Sequence, residues 1–460
     1  MTIPGPEPRA DDGVGAITAA GGLHTYQLRL HAEYGPVVRF QLPGAGTAVS
    51  VADPVLLEAT AHINKRPERL FEFLAPLCEA GNLQVIPADE HTPLRRLLLS
   101  VLAGRPSHER HFARFTELTT ELADDWAARS ARTDGDPVEL QKDLTALTLR
   151  MISEYALGGD SEATDPDRVV AAFEEVLTEY LGRLYEVPVP GTQDERARRA
   201  DEALAYLRAT VDRVVAAHRS GGRTDKSDLI GALVEAGESP ARIRDTVMVT
   251  MLAAHHTTGV AVSWTLHLLA RHPEAAARVA DELDGVLGDR AAPEYADLRR
   301  LTYLEMALKE SMRLYPPGPY GARETTETLV LGDHEIPAGT TIFYPFWAVH
   351  MNPEYWPEPE KFEPERFSPE EIAKRPKLAY IPFGLGPRSC EGAVLAMVEA
   401  ELILAVLLKR FRIRPAPGHE TVTPIERFVL WAADDIRMLV SPRPRTEPCP
   451  RLPHPAAPDG

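Results

Sequence analysis

The run Phe383-Gly384-Leu385-Gly386-Pro387-Arg388-Ser389-Cys390-Glu391-Gly392 constrains this chain more than any other feature. Its glycines let the backbone turn tightly around a single cysteine and approach a flat partner closely. The chain continues as AVLAMVEAELILAVLLKRF, a helix-forming stretch, so Cys390 stands just ahead of a helix N-terminus. There the dipole and the free N–H groups favour an anion. A sheltered thiolate steadied by backbone N–H groups is able to serve as the axial ligand of a haem iron. A cysteine taken alone is more often a small buried hydrophobe, and the pattern around Cys390 is what argues for a ligand.

The run resembles the haem-binding loop of the cytochrome P450 superfamily, Phe-Gly-x-Gly-x-Arg/His-x-Cys-x-Gly. Every fixed position is filled, and so many specified residues at this spacing arise by chance on the order of 10⁻⁸ per window. The resemblance implies a mainly α fold with small β-sheets. Haem b would lie between a long distal helix and the helix that follows the cysteine loop. Cys390 would ligate the iron, with Phe383, Gly384 and Gly392 shaping the loop beside the cofactor.

Two further motifs follow the family's order. Glu310 and Arg313, in LKESMRLYPP, match its Glu-x-x-Arg helix, and Arg366 lies in Pro364-Glu365-Arg366-Phe367 between that helix and the cysteine. The spacing puts Glu310 and Arg313 on one helical face. Glu195 and Arg198 share that spacing, so order and distance carry the argument. The implied role of all three is a buried structural charge network. His91 and Arg95 in EHTPLRR, Arg323 in YGARET, and Arg388 match the family's clamps on the haem propionates. Guanidinium suits a carboxylate through paired donors in fixed geometry. Singly, each of these residues would be an ordinary solvated charge.

The oxygen-activating helix departs from the usual Ala-Gly-x-Asp/Glu-Thr-Thr. The segment is Ala253-Ala254-His255-His256-Thr257-Thr258, which keeps Thr257, replaces the acid with His256 and the glycine with Ala254. The resemblance implies that Thr257 steers protons to oxygen at the distal face of the haem. Two readings of His256 stand side by side: a proton relay, since imidazole titrates near neutrality, or an interior structural residue. Sterol 14α-demethylases also carry a His-Thr pair, yet LFEFLAPLCEAGNLQVIPADEH lacks their tyrosine-rich segment, so the sterol substrate does not transfer. A metal site at His255 and His256 is disfavoured, because neighbours on a helix point in different directions.

A formal net charge of −18 argues against nucleic acid or an anionic membrane as partner. Cys78, Cys390 and Cys449 make no disulfide framework and fit a reducing compartment. The start, MTIPGPEPRADDGVG, has neither a basic opening nor an apolar core, and no apolar run is long enough to cross a bilayer. These features resemble the soluble bacterial members, which implies a cytoplasmic monomer. Residues 1–16 and the proline-rich 441–460 are expected to be disordered, leaving 17–440 as a single haem-thiolate monooxygenase domain. Strands are expected at Val37–Leu42 and Ala48–Val51, and helices from about residue 107 to 315.

The reaction implied is insertion of one atom of O2 into a hydrophobic small molecule, a secondary metabolite, by hydroxylation or epoxidation. Electrons would come from a separate ferredoxin or flavodoxin with its reductase. Arg96, Arg388, Lys409 and Arg410 are candidates for a basic docking patch. Substrate-facing stretches, by the same resemblance, are Leu74–Val85, Phe173–Val189, Met251–Thr258, Pro317–Tyr320 and Phe428–Ala432. Two other classes remain: a peroxide-dependent haem-thiolate enzyme or isomerase, and a non-catalytic relative that activates a partner protein. Retention of Thr257 disfavours the first, and retention of Cys390 the second.

Overall fold

The apolar alternation of Val37–Leu42 and of the following segment produces an antiparallel pair, Val37 opposite Val51 and Leu42 opposite Gly46. The second strand begins at Gly46, two residues before the sequence suggests. Thr341–Tyr344 adds in parallel to Gly46–Val51, and Gly321–Glu324 closes the sheet antiparallel at the far edge. Short antiparallel strands also form at Leu329–Leu331 with His334–Ile336, and at Pro424–Arg427 with Val429–Ala432. The computed structural model describes every residue except 1, 44, 133–134, 158–164, 185–190, 222–227, 428 and 444–460. The expected disordered tail and Cys449 therefore lie almost wholly outside the described residues.

The N-terminus departs from the sequence-based expectation of disorder. Its residues run against the outer strand, where Arg39 donates its backbone N–H to Pro4 O at 2.8 Å. The Arg39 guanidinium also bonds Ile3 O and Pro6 O, both at 3.1 Å. A strand edge presents unpaired N–H and C=O groups, and this proline-rich segment covers them. A helix, Val14–Ala20, already begins inside the supposed tail.

The helical body is organised around one 32-residue helix, Pro240–Arg271, hereafter the long helix. Ser239 caps it, accepting Arg242 N–H at 3.1 Å, and Pro240 occupies its first turn. Apolar residues occur on all its faces because it runs through the core, where Val247, Val260, Val262 and Trp264 are fully or almost fully buried. Thr148, on the helix Leu140–Leu157, donates its hydroxyl to His255 O at 2.6 Å and fixes that crossing. Trp264 stacks on Tyr315 with ring centroids 4.1 Å apart and donates its indole N–H to Leu430 O at 2.8 Å.

The Glu-x-x-Arg helix, Thr302–Leu314, carries the expected charge network. Arg313 bonds Glu310 through two parallel contacts of 2.7 and 2.8 Å, and both side chains are wholly buried. The remaining donors of Arg313 reach His350 O at 3.0 Å and Lys361 O at 3.1 Å, while Glu310 accepts Glu363 N–H at 3.0 Å. Arg366 adds a charge contact of 3.5 Å to Glu310, without hydrogen-bond geometry. Burial raises the Glu310 carboxyl and Arg313 opposes the rise. With every partner in place the pair is tolerated; removing one would strand a buried charge.

Candidate active site

The loop ahead of the helix Ala393–Arg410, hereafter the loop helix, is shaped by two left-handed glycines, of which Gly386 is the more constrained. Its φ is +67°, and a Cβ there would lie 1.9 Å from Ala61 O, so no other residue fits. Gly384 shares the left-handed conformation at φ +73°. Cys390 N–H donates to Phe383 O at 2.8 Å, closing the loop on itself. By surface area Cys390 is exposed, but what it meets is a cavity inside the protein, between the loop helix and the long helix. Burial and the nearby Glu391 push its thiol up to about 12, while the Gly392 N–H pulls the other way.

On the opposite wall, Thr246, Val249, Thr250, Ala253, Ala254, Thr257 and Thr258 face the cavity from one side of the long helix. Those intervals are the helical repeat, so one stripe supplies the whole wall. Leu98, Leu102, Ile152 and Leu395 make the rest largely apolar. Thr257 donates its hydroxyl to Ala253 O at 2.9 Å, within its own helix. His256, by contrast, is not among the cavity-lining residues. Its ring lies 3.8 Å from that of His255 and edge-on to Trp431 at 5.0 Å. Burial lowers it to about 4, which leaves it neutral at physiological pH. The two adjacent imidazoles do meet, against the expectation that they diverge. Still, no group of three possible metal ligands occurs among the described residues.

Beside the cavity, five basic side chains converge. His91 is completely buried with neither ring nitrogen bonded, and burial together with Arg388, Arg95, Arg66 and Arg323 lowers it to about 3. Arg66, which the sequence reading missed, is pushed down to about 9 by burial, Arg323 and Arg388, and its Nε is likewise unpartnered. Arg388 reaches Asn64 O at 2.8 Å, Leu83 O at 2.5 Å and Ile86 O at 2.8 Å. Arg323 bonds Ala322 O at 2.7 Å. Arg95 pairs with Glu391 and bonds Ser389 O at 2.6 Å. Buried cations this close cost heavily unless an anion joins them. The two carboxylates of a haem held through Cys390 would suit this surplus of charge and the unbonded His91.

Glu399 is a second omission of the sequence reading. It lies on the loop helix, lines the cavity, and its carboxylate faces the Thr258 hydroxyl at 3.5 Å, with the other oxygen unbonded. The available signal was a pair of acids, Glu399 and Glu401, within an apolar stretch of the helix. Burial raises the Glu399 carboxyl from 4.5 to about 8, and Glu401 behaves alike. The folded state then holds protons that the unfolded chain releases, so stability present below pH 4.5 is lost as pH rises toward 8. Glu399→Gln should flatten that decline, measured as melting temperature against pH, with little change at the acid end.

Of the residues suggested for a docking patch, Arg388 is buried, and Lys409 and Arg410 are engaged by Asp284 and Asp124. The last two also end the loop helix, about 27 Å from its start. Arg96 is exposed. Of the expected substrate-facing stretches, Asn82, Leu83 and Gln84 and the threonine segment line the cavity. The Phe173 and Phe428 stretches fall partly outside the described residues.

The family model for cytochrome P450 matches residues 14–440. The chain belongs to the cytochrome P450 family. Cyclooctatin synthase of Streptomyces melanosporofaciens is 32% identical, covering 77% of this chain and 77% of that protein. Cyclooctat-9-en-7-ol 5-monooxygenase of the same organism is 33% identical over 74% of each. The haem domain of cytochrome P450DA superposes with a TM-score of 0.84 at 24% identity, over 96% of this chain and 98% of that one, which establishes the fold. This P450 is therefore a haem-dependent monooxygenase that uses O2, a hydrophobic substrate and a redox partner. No helix among the described residues is long and apolar enough to cross a membrane.

Proposed function

We propose that this P450 hydroxylates or epoxidises a terpenoid-type secondary metabolite with electrons from a separate ferredoxin or flavodoxin system. The observation that carries the reading is the single cavity shared by the Cys390 thiol on one wall and Thr257 on the other. The apolar Leu98, Leu102, Ile152 and Val249 suit a hydrocarbon skeleton. The name of one relative specifies cyclooctat-9-en-7-ol, a cyclic alcohol, as what that relative oxidises.

In this reading Cys390 would ligate the iron, steadied by the Gly392 N–H, and Phe383, Gly384 and Ala254 would border the macrocycle. Arg66, His91, Arg95, Arg323 and Arg388 hold its propionates, and Glu310, Arg313 and Arg366 keep the supporting segment rigid. The haem supplies dioxygen binding and transfer of one oxygen atom to carbon. Thr257, released from Ala253 O, presents its hydroxyl to the cavity and passes protons there. Thr258 and the protonated Glu399 provide a proton reserve behind it. The apolar wall excludes bulk water from the substrate side.

Turnover of a cyclic terpenoid should require NADPH, a ferredoxin and its reductase, with hydrogen peroxide alone giving little product. Full turnover on peroxide with none on electrons would replace this reading with the peroxide-dependent one.

A further inference from the structure

The first turns of the long helix carry a carboxylate that the chemistry above does not use. Asp245 is 2% exposed, and its Oδ2 accepts three successive backbone N–H groups, from Glu79 at 2.7 Å, Ala80 at 2.6 Å and Gly81 at 2.8 Å. Successive N–H groups that converge in this way form an anion-binding concavity. Here the anion is supplied by another part of the same chain. Gly81 has φ +91°, and a Cβ on it would come within 2.7 Å of Ile86 Cγ2, so the concavity depends on glycine at that position.

The loop held by Asp245 forms part of the cavity wall. Asn82, Leu83 and Gln84 follow at once and line the cavity. Asn82 is fully buried, and its Oδ1 accepts Gln84 N–H at 2.9 Å, which sets the turn. Arg388 grips Leu83 O within this segment and Ile86 O just beyond it. The wall segment is thus fixed at both ends, by the long helix before it and by the cysteine loop after it. Neighbours of Asp245 reinforce the first anchor: Arg244 bonds Glu79 at 2.5 Å and Asp212 at 2.7 Å, and Arg242 bonds Glu90 at 2.7 Å.

We infer that Asp245 is a positioning residue that fixes Asn82, Leu83 and Gln84 as the size-selective wall of the substrate cavity. It precedes Thr257 by about 18 Å along the helix, too far to take part in oxygen chemistry. Its effect is on what fits and how it is oriented. Hydrogen bonds to a charged acceptor are stronger than neutral ones, so a change of charge alone should loosen the loop.

The test compares the holoenzyme with Asp245→Asn and, independently, Gly81→Ala, which attacks the same contact from the loop side. In the wild type, hydrogen exchange should show the amides of Glu79, Ala80 and Gly81 protected. Asp245→Asn should speed their exchange by about tenfold or more. Binding of imidazole and of the bulkier 1-phenylimidazole to the ferric haem is then followed by the Soret shift. Association of 1-phenylimidazole should accelerate by about tenfold in both variants, while imidazole, small enough to pass a closed wall, changes little. Combining the two substitutions should add little, since both remove one contact. An intact carbon-monoxide spectrum in each variant separates this effect from loss of the haem site and hence from failure of the monooxygenase reading. The inference is overturned if those amides are unprotected in the wild type, or if both ligands respond equally.

Discussion

Replacing Cys390 with serine should abolish the strongly red-shifted Soret band that the reduced, carbon-monoxide-bound protein displays, and with it essentially all monooxygenation. The thiol is deep inside the protein, faces the cavity, and is raised by burial to about 12, so as an isolated group it stays protonated. A metal cation reverses that balance, because a coordinating thiol is deprotonated outright. Serine offers an alkoxide far less readily and lacks the polarisable sulfur that donates electron density. The fold should survive, since Cys390 N–H bonds Phe383 O through the backbone and the substitution leaves that bond in place. Haem content, circular dichroism and the carbon-monoxide difference spectrum separate these effects. A serine variant that kept the red-shifted band would mean that another residue ligates the iron.

The second large effect divides the two residues of the His-Thr pair. Thr257→Ala should retain haem and substrate binding but divert reducing equivalents to hydrogen peroxide, lowering product per NADPH by about tenfold or more. The reason is placement: Thr257 lines the cavity, and its hydroxyl needs only to leave Ala253 O to face the reacting space. His256 is turned toward Trp431 and packed against the His255 ring, and burial holds it neutral. His256→Ala should therefore leave the coupling ratio near that of the wild type while costing about 2 kcal/mol of stability, from the lost ring contacts. If His256→Ala instead released peroxide like Thr257→Ala, and His256→Glu recovered the coupling, the histidine would be the relay.

Much of the site is legible in the sequence because local chemistry compels it. The loop 383–392 requires glycines where its backbone turns left-handed, and Cys390 must precede a helix, so spacing alone identifies them. Glu310 and Arg313 are neighbours on one helix, and their pairing follows from a 3.6-residue repeat. Val37–Leu42 announces its strand by alternation.

What only the tertiary structure decided depends on contacts between distant segments. Arg66 is one arginine among many until burial brings it beside Arg323 and Arg388. Glu399 becomes notable when the long helix sets Thr258 opposite it. Asp245 gains its meaning from three backbone amides more than 160 residues earlier, a relation that no residue type signals. His256 shows the same limit from the other side. The His-Thr order was visible, but the direction of its ring was set by packing against Trp431, which lies 5.0 Å away and belongs to another part of the chain. Periodicity fixes which face of a helix a residue occupies, and the elements that cover that face decide whether it meets substrate, cofactor or core.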